Sequence, residues 1–207
     1  ANDHRRLGPE LGLFTFRDES PGMPFWLPQG TVLLRLVREK VDEQLRKRGY
    51  VEVKTPEVMD VDLWHRSGHY ENYRENMYFA EPVERGRDEE DRRFALKPMN
   101  CPGACLIFDS SRHSYRDLPL RMAEYGYVSR FERAGVLHGL LRVRAFTQDD
   151  AHIYCTREQI EAEVIDICEA IDELYAAFGF EDVSLELSTR PEKSIGSDEV
   201  WEAAEKA

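Results

Sequence analysis

The stretch that most constrains the fold of this chain is residues 140–155, LLRVRAFTQDDAHIYC. Successive side chains of an extended strand point to opposite faces, so the stretch predicts one long strand with two different faces. The odd-numbered face is mostly small or apolar and is predicted to lie on a core. The even-numbered face carries Arg142, Arg144, Phe146, Gln148, Asp150 and His152. A core would need a buried partner for each polar group, so this face is either ligand-binding or solvated.

A second long strand is predicted at residues 120–132, and residues 133–139 form a turn that leads into the first stretch. The two strands are therefore predicted to pair in an antiparallel manner. Two amphipathic helices accompany them, one beginning at Thr31 and one opened by a capping box of Thr156 and Gln159. Their apolar residues are 34, 37, 41 and 45 in the first helix and 160, 164, 167, 171, 174 and 178 in the second. Helices that flank an antiparallel sheet predict the α+β class.

Shorter segments complete the sequence-based prediction. Residues 1–29 are expected to be irregular because four prolines interrupt them. We also expect paired strands at 77–80 and 94–96, a charged solvated hairpin tip at 84–93, a strand at 183–187, and a last helix capped by Ser197.

Composition limits the classes of function. The chain has 207 residues, 42% of them hydrophobic, which is enough for one sizeable core, and a net charge of −12 argues against a general nucleic-acid coat protein. Residues 112–144 nevertheless hold seven arginines against three acidic residues. This basic segment in an acidic chain suits a nucleotide or the end of an RNA, although simple surface charge also explains the outlying Arg112 and Arg116.

Cysteine usage and hydropathy predict the compartment. The four cysteines form no CxxC pair, and no segment has the length and apolar character of a signal peptide or a membrane span. We therefore expect free thiols in a reducing cytoplasm and no membrane partner.

Several residues have the chemistry of ligand groups. Arg130 and Arg142 can clamp phosphate or carboxylate, Glu132 can accept from an exocyclic amine, and Phe146 can stack on a base. Since the chain has neither a Walker A sequence nor a GxGxxG turn, these residues suggest an ATP site in an antiparallel sheet.

A thiolate at Cys101 and an imidazole at position 152 are possible zinc ligands. They lie 51 positions apart and match no compact zinc-finger spacing, so a buried thiol and a hydrogen-bonded histidine remain the alternative. By pattern alone, His69 in a probable loop is more often solvated than functional.

Four motifs carry a close resemblance to a known family: KPMNCPG, YRDLPLRMAEYG, LHGLLRVRAFTQDDAHIYC and LSTRPEKSIGSDE. They resemble the catalytic core of the threonyl-tRNA synthetases, which are class II aminoacyl-tRNA synthetases, and the similarity runs nearly from end to end. The resemblance implies one partial class II catalytic domain over residues 1–207. Residues 31–56 resemble motif 1, which builds a homodimer interface, and residues 120–154 resemble motif 2 and the strand after it.

The resemblance also implies roles for individual residues. Cys101 and His152 would hold a zinc ion that binds threonine. Asp150 would accept from the threonine hydroxyl, while Gln148 and Met99 would complete the amino-acid site. Arg130 would be the catalytic residue that bridges the substrate carboxylate and the α-phosphate of ATP. Glu132, Arg142 and Phe146 would bind the rest of ATP with Mg²⁺, and His69 would lie near the 3′ end of tRNA(Thr).

The resemblance has departures. In the family, a third zinc-binding histidine and the motif 3 arginine would follow Ala207, and editing and anticodon-binding domains would flank the core. We therefore expect the isolated chain to be inactive or nearly so. Position 104 is Ala where the family often has His, and position 131 is Phe where a polar residue is common. Neither is a ligand position.

Two other functions fit part of the pattern. One is a non-catalytic, synthetase-like module that binds threonine or ATP. The other is a different class II enzyme, such as a prolyl- or seryl-tRNA synthetase, and the pair of Cys101 and His152 argues against it.

Overall fold

The structure is a computed structural model that describes residues 3–81, 92–192, 194 and 196–206. Its helices are α1 (His4–Glu10), α2 (Pro28–Lys47), α3 (Val61–Arg66), α4 (His69–Tyr73), α5 (Cys101–Asp109), α6 (Ile160–Ala177) and α7 (Asp198–Lys206). Its strands are β1 (Phe14–Thr15), β2 (Phe25–Trp26), β3 (Val51–Glu52), β4 (Val58–Asp60), β5 (Phe79–Ala80), β6 (Phe94–Leu96), β7 (Leu120–Ser129) and β8 (Ala145–Tyr154). This mixture of helices and sheets confirms the predicted α+β class.

The sheet that carries the two long strands has the order β3–β7–β8. The backbone N–H of Arg130, just after β7, donates to the carbonyl of Arg144, just before β8, at 2.8 Å. The end of one strand therefore meets the start of the next, which confirms the predicted antiparallel pair. The sheet is not purely antiparallel, because β3 pairs with β7 in a parallel register that places Val51 opposite Met122. Among the described residues, β8 forms an edge of this sheet.

A smaller antiparallel sheet has the order β4–β6–β5. Phe79 pairs with Ala95, which confirms the predicted pairing of the segments at 77–80 and 94–96. A core cluster packs beside it, formed by Met59, Val61, Trp64, Met77 and Ala95. Trp64 of α3 is completely buried, and Tyr70 and Tyr73 of α4 pack against the same cluster.

Three local predictions differ from the structure. Residues 1–29 are not irregular throughout, because α1 forms at the start and β1 pairs with β2. Pro9 lies inside α1, one position before its last residue. No strand forms at residues 183–187 in the described part of the chain, where Leu185 and Leu187 are 84% and 69% exposed. Most of the predicted hairpin tip, residues 84–91, lies outside the described residues.

Both predicted amphipathic helices form. Val41 of α2 is buried, whereas Val32, Leu33, Leu34 and Leu36 near its start are exposed. The capping box of Thr156 and Gln159 is present and precedes α6. Among the described residues, no helix is both long and apolar enough to cross a lipid bilayer.

The chain divides into two compact units. The first contains residues Ala1–His113 and Arg121–His152 and carries every predicted site residue. The second contains Ser114–Leu120 and Ile153–Ala207, where the side-chain amide of Gln159 donates to the carbonyl of Leu118 at 3.1 Å.

Candidate functional site

The site rests on a buried ion pair beneath residues 97–103. Lys97 is 1% exposed, and its Nζ donates to Glu124 Oε1 at 2.9 Å and to Thr55 Oγ1 at 2.7 Å. Glu124 Oε1 also accepts from the backbone N–H and the hydroxyl of Thr55, both at 2.8 Å. Burial alone raises the pKa of Glu124, but the hydrogen bonds from Lys97 and Thr55 outweigh it and hold the pKa below its ordinary value. This network fixes the start of the loop before α5.

The loop places Met99 and Cys101 on either side of the fully buried Asn100. Met99 and Cys101 are half-buried, and Cys101 is the first residue of α5. Burial raises the pKa of the Cys101 thiol, and the nearby Asp150 carboxylate raises it further. A metal that binds this sulfur would therefore have to displace its proton.

The even-numbered side chains of β8 form a half-buried polar face. Phe146, Gln148, Asp150 and His152 are half-buried, whereas the odd-numbered residues 147, 149 and 151 are exposed. The prediction that the odd face lies on a core is therefore wrong for residues 147, 149 and 151, whereas Val143 and Ala145 are buried and Ile153 is half-buried. The predicted strand at 140–155 also begins too early, because residues 138–142 form a bridged turn and β8 starts at Ala145.

Asn100 joins the loop to this face of β8. Its Nδ2 donates to Asp150 Oδ2 at 3.0 Å and to Gln148 Oε1 at 3.3 Å. Cys101 follows Asn100 in the chain, and His152 lies two positions after Asp150 on the same face of β8, so their joint role as zinc ligands stays a prediction. The described residues contain no group of three or more His, Cys, Asp or Glu side chains that could hold a metal ion.

The predicted ATP-binding residues form two contacting pairs after β7 and at the start of β8. The Arg130 guanidinium lies 5.4 Å from the centroid of the Phe146 ring, and its Nε donates to the carbonyl of Pro98 at 3.0 Å. Arg142 donates to Glu132 Oε2 at 2.9 Å. Arg142 is largely exposed and Glu132 is buried, so the arginine has unshielded nitrogens for an anion.

The sequence places Arg144 on the even-numbered face of the predicted strand, which is expected to bind ligand or face solvent. In the structure Arg144 does not lie on that face. It is buried, lies before β8, and donates from Nε to the carbonyl of Glu132 at 2.8 Å and from a terminal nitrogen to the carbonyl of Pro21 at 3.2 Å. Its guanidinium also lies 4.8 Å from the centroid of the Phe131 ring. Arg144 therefore holds the backbone of the loop that presents Glu132 and Phe131.

A residue of α1 contacts a later part of the connection between β7 and β8. His4 Nε2 accepts a hydrogen bond from the backbone N–H of Leu140 at 2.9 Å. A side chain at Gly139 would collide with this imidazole, because an added Cβ would lie 2.2 Å from His4 Nε2. No local sequence pattern predicts this contact, which joins residues 136 positions apart.

Two cavities adjoin the predicted ATP-binding residues. One of about 370 Å³ is lined by Arg142 together with Arg5 and Phe16, and one of about 280 Å³ is lined by Phe146 together with Trp26 and Tyr127. A larger cavity of about 520 Å³ lies between α3 and α5 and is lined by none of the predicted site residues.

His69 stands apart in a cluster of its own on α4. Its Nδ1 lies 2.8 Å from Ser67 Oγ, and its ring meets Trp64 edge-on with 6.2 Å between the centroids. Burial lowers the pKa of His69 despite an opposing hydrogen bond from Ser67. The structure therefore describes a neutral, packed histidine, and its role near a tRNA end remains a prediction.

Comparison with known proteins identifies the family. The family described as "tRNA synthetase class II core domain (G, H, P, S and T)" matches residues 78–206. The chain belongs to this family. The predicted class II fold is thereby confirmed.

The curated relatives are threonine–tRNA ligases. The chain is 55% identical over 205 residues to one from Acetivibrio thermocellus and 54% identical to threonine–tRNA ligase 2 of Bacillus subtilis strain 168. Both matches cover 99% of this chain but only 31% of the relative, so the chain spans about a third of their length. The resemblance to threonyl-tRNA synthetases is confirmed over nearly the whole chain.

Solved structures agree. A crystal structure described as the RNA-binding domain of threonyl-tRNA synthetase from Cryptosporidium parvum Iowa II has a TM-score of 0.86 and 41% identity, covering 100% of this chain and 50% of that one. A putative threonyl-tRNA synthetase from Aeropyrum pernix has a TM-score of 0.82 and 30% identity, covering 99% and 48%. A prolyl-tRNA synthetase from Giardia lamblia, at 22% identity and a TM-score of 0.74 over 84% of this chain and 35% of that one, shares the fold alone.

Proposed function

We propose that this chain forms the amino-acid- and ATP-binding part of a threonine–tRNA ligase, which activates threonine as threonyl-adenylate and transfers it to tRNA(Thr). The observation that carries this proposal is the polar face of β8, where Asn100 links Gln148 and Asp150 to the segment that bears Cys101. The 55% identity to a threonine–tRNA ligase supports threonine over serine or proline as the substrate.

The threonine site would lie on this face. Asp150 would accept a hydrogen bond from the threonine hydroxyl, Gln148 would bind the amino-acid backbone, and Met99 would form part of the wall. A site that hydrogen-bonds a substrate hydroxyl rejects the analogue that lacks it far better than an apolar pocket does, because its own polar group is left unpaired. Valine, which lacks the hydroxyl, would therefore bind poorly.

The ATP site would use the two pairs after β7. Arg130 would contact both the threonine carboxylate and the α-phosphate; its Nε is occupied by Pro98, so its two terminal nitrogens remain for the substrates. Phe146 would stack on the adenine, Glu132 would accept from the adenine amine, and Arg142 would bind the terminal phosphate with Mg²⁺ on the β- and γ-phosphates. The threonine carboxylate oxygen would attack the α-phosphorus as the bond to the pyrophosphate oxygen breaks. Positioning and positive charge suffice for such a step.

Zinc is the expected resident metal. Cys101 and His152 offer the sulfur and nitrogen donors that zinc prefers, and they fit as two of its ligands. When bound, zinc would supply a Lewis acid that takes the amine and hydroxyl of threonine directly.

The remaining proposed partners bind elsewhere. His69 would lie near the 3′ end of the tRNA. Residues 31–56 would form a homodimer interface, which the exposed Val32, Leu33 and Leu36 of α2 support. A cytoplasmic location is part of the same proposal.

The test is threonine-dependent exchange of pyrophosphate into ATP, measured on the complete gene product that carries this chain. Asp150→Asn should lower threonine-dependent exchange about a hundredfold or more. The substitution alters the group that accepts from the threonine hydroxyl, and a lost hydrogen bond to the substrate is most costly at a site built around it. Asp149→Asn is the matched control, because Asp149 lies on the exposed face of the same strand.

The results separate the alternatives. Exchange that depends on threonine, with Asp149→Asn active and Asp150→Asn impaired, supports the proposal. Threonine and ATP binding without exchange would indicate a non-catalytic module, exchange with proline or serine instead would indicate another class II enzyme, and equal effects of the two substitutions would remove Asp150 from the site.

A further inference from the structure

Asn100 occupies a helix cap without capping the helix. It is the residue before α5, the position where an asparagine side chain normally accepts from the first turn of backbone N–H groups. Here its side chain makes no such hydrogen bond. It is completely buried and turns instead toward β8. The side chain is therefore used for something other than the stability of α5.

The orientation of the Asn100 amide is fixed by its two acceptors. Asp150 Oδ2 and Gln148 Oε1 both accept from Nδ2. An ionised carboxylate can only accept, so the amide cannot turn over without losing that contact. Its Oδ1 consequently faces away, buried and without a hydrogen-bond partner among the described residues. A buried acceptor without a partner lowers stability, so stability does not explain this arrangement.

A glycine in β7 provides the space that the amide occupies. A Cβ added to Gly126 would lie 2.1 Å from Asn100 Oδ1 and 2.4 Å from both its Cγ and its Nδ2. Gly126 is not among the glycines with positive φ, so its backbone conformation is open to other residues. Glycine is required here for the close approach of Asn100 to the strand.

We infer that Asn100 is a positioning residue for recognition of the threonine hydroxyl. We also infer that Gly126, by lacking a side chain, leaves the space in which the Asn100 amide packs against the sheet. This inference rests on the proposed function. The Nδ2 hydrogen bond takes up one oxygen of the Asp150 carboxylate and fixes its rotation, which leaves the other oxygen to accept from the substrate hydroxyl. The same amide group holds the Gln148 side chain in register with it. Asn100 thus acts through Asp150 and Gln148, and it distinguishes threonine from valine without touching either.

The first test measures binding of L-threonine, L-valine and ATP separately by calorimetry to the complete gene product. Asn100→Ala should weaken threonine binding about ten- to a hundredfold, the effect expected when a hydrogen bond to a charged group is lost. ATP binding should be unchanged. Valine binding should fall less than threonine binding, because valine shares only the backbone contact with Gln148, so the preference for threonine over valine falls. Affinities are referred to the number of ATP-binding molecules, so that misfolded protein does not enter the comparison.

A double-mutant cycle tests whether Gly126 acts through Asn100. Gly126→Ala should weaken threonine binding by a similar factor, because its methyl group displaces the Asn100 amide. In the Asn100→Ala background the space is empty, so adding Gly126→Ala should cause no further loss. Gly135→Ala is the matched control, because an added Cβ there meets no atom within 4 Å, and it should bind threonine like the wild type.

The outcomes are decisive for the inference. If wild type binds threonine and Asn100→Ala binds it equally well, Asn100 does not position the site. A loss shared equally by threonine, valine and ATP, or effects of Asn100→Ala and Gly126→Ala that simply add, would indicate a structural role only. If wild type binds no threonine, the proposed function itself fails, and that result is distinct from the others.

Discussion

Lys97→Met offers a direct probe of the ion pair beneath the site. The substitution keeps most of the side-chain volume but removes the cation that lies 2.9 Å from Glu124 Oε1. Both charges are almost completely buried, at 1% and 4% exposure. Glu124 would then be a buried carboxylate whose remaining donors come from Thr55 alone.

The expected cost follows from this burial. Removing one partner of a buried ion pair typically costs about 3–5 kcal/mol, because the other charge loses its compensation. The pKa of Glu124 lies below its ordinary value of 4.5 in the folded wild type, so its contribution to stability is present above that value and is lost as the pH falls through the folded pKa. In Lys97→Met the buried carboxyl is protonated more readily, so the difference from wild type should shrink as the pH falls from 7 toward 4.5.

Amide hydrogen exchange reads this network locally. The backbone N–H of Thr55 donates to Glu124 Oε1, so its protection reports the opening of the network even in a multidomain protein. Lys97→Met should lower the protection of Thr55 roughly 10²- to 10³-fold at pH 7. Adding Glu124→Gln removes the uncompensated charge but keeps an acceptor for Thr55, so it should restore much of the protection.

A control and a refuting result complete the design. Lys40→Met removes an exposed ion pair with Glu43 and should leave the exchange of Thr55 unchanged. A loss of protection below about threefold for Lys97→Met, independent of pH, would mean that the pair is solvated in solution and does not support the site.

Two further predictions concern other parts of the first unit. Arg144→Ala removes hydrogen bonds to the carbonyls of Glu132 and Pro21, so the dissociation constant for ATP, measured by calorimetry, should rise about tenfold while that for threonine stays the same; equal changes in both would refute a local role for Arg144. The double substitution of Leu33 and Leu36 by Glu places charge on the exposed apolar start of α2, and sedimentation should then show monomers in place of a dimer; an unchanged oligomeric state would exclude this face as the interface.

The sequence predicted the strand pairing in the sheet only where the two strands are close together in the chain. The β7–β8 pair follows from two extended stretches joined by a short glycine-containing turn, and the capping box of Thr156 and Gln159 is a three-residue signal. The parallel pairing of Val51 with Met122 joins segments that are far apart in the chain, and no local sequence pattern predicts it. The alternation at residues 183–187 was misleading, because Val183, Leu185 and Leu187 are all exposed.

The candidate site was predictable in its ligand-facing residues and not in its supports. Phe146, Gln148, Asp150 and His152 do share one face of β8, as alternation requires. The same alternation misplaced Arg144. The chain turns before Ala145, so the alternation of side chains between the two faces of a strand does not extend to residue 144. Asn100 and His4 were missed because their partners lie 50 and 136 positions away. Only tertiary structure brings such polar groups together.

The position of β8 at the border of its sheet affects how this protein can be handled. A ten-residue strand whose outer backbone groups lack a neighbour among the described residues is a template on which another chain can add itself. Asp149 and Asp150 oppose such self-association, because two copies stacked side by side would bring like charges together. Fragments that expose this border should be purified at low concentration and away from acid, where the protecting negative charge is lost.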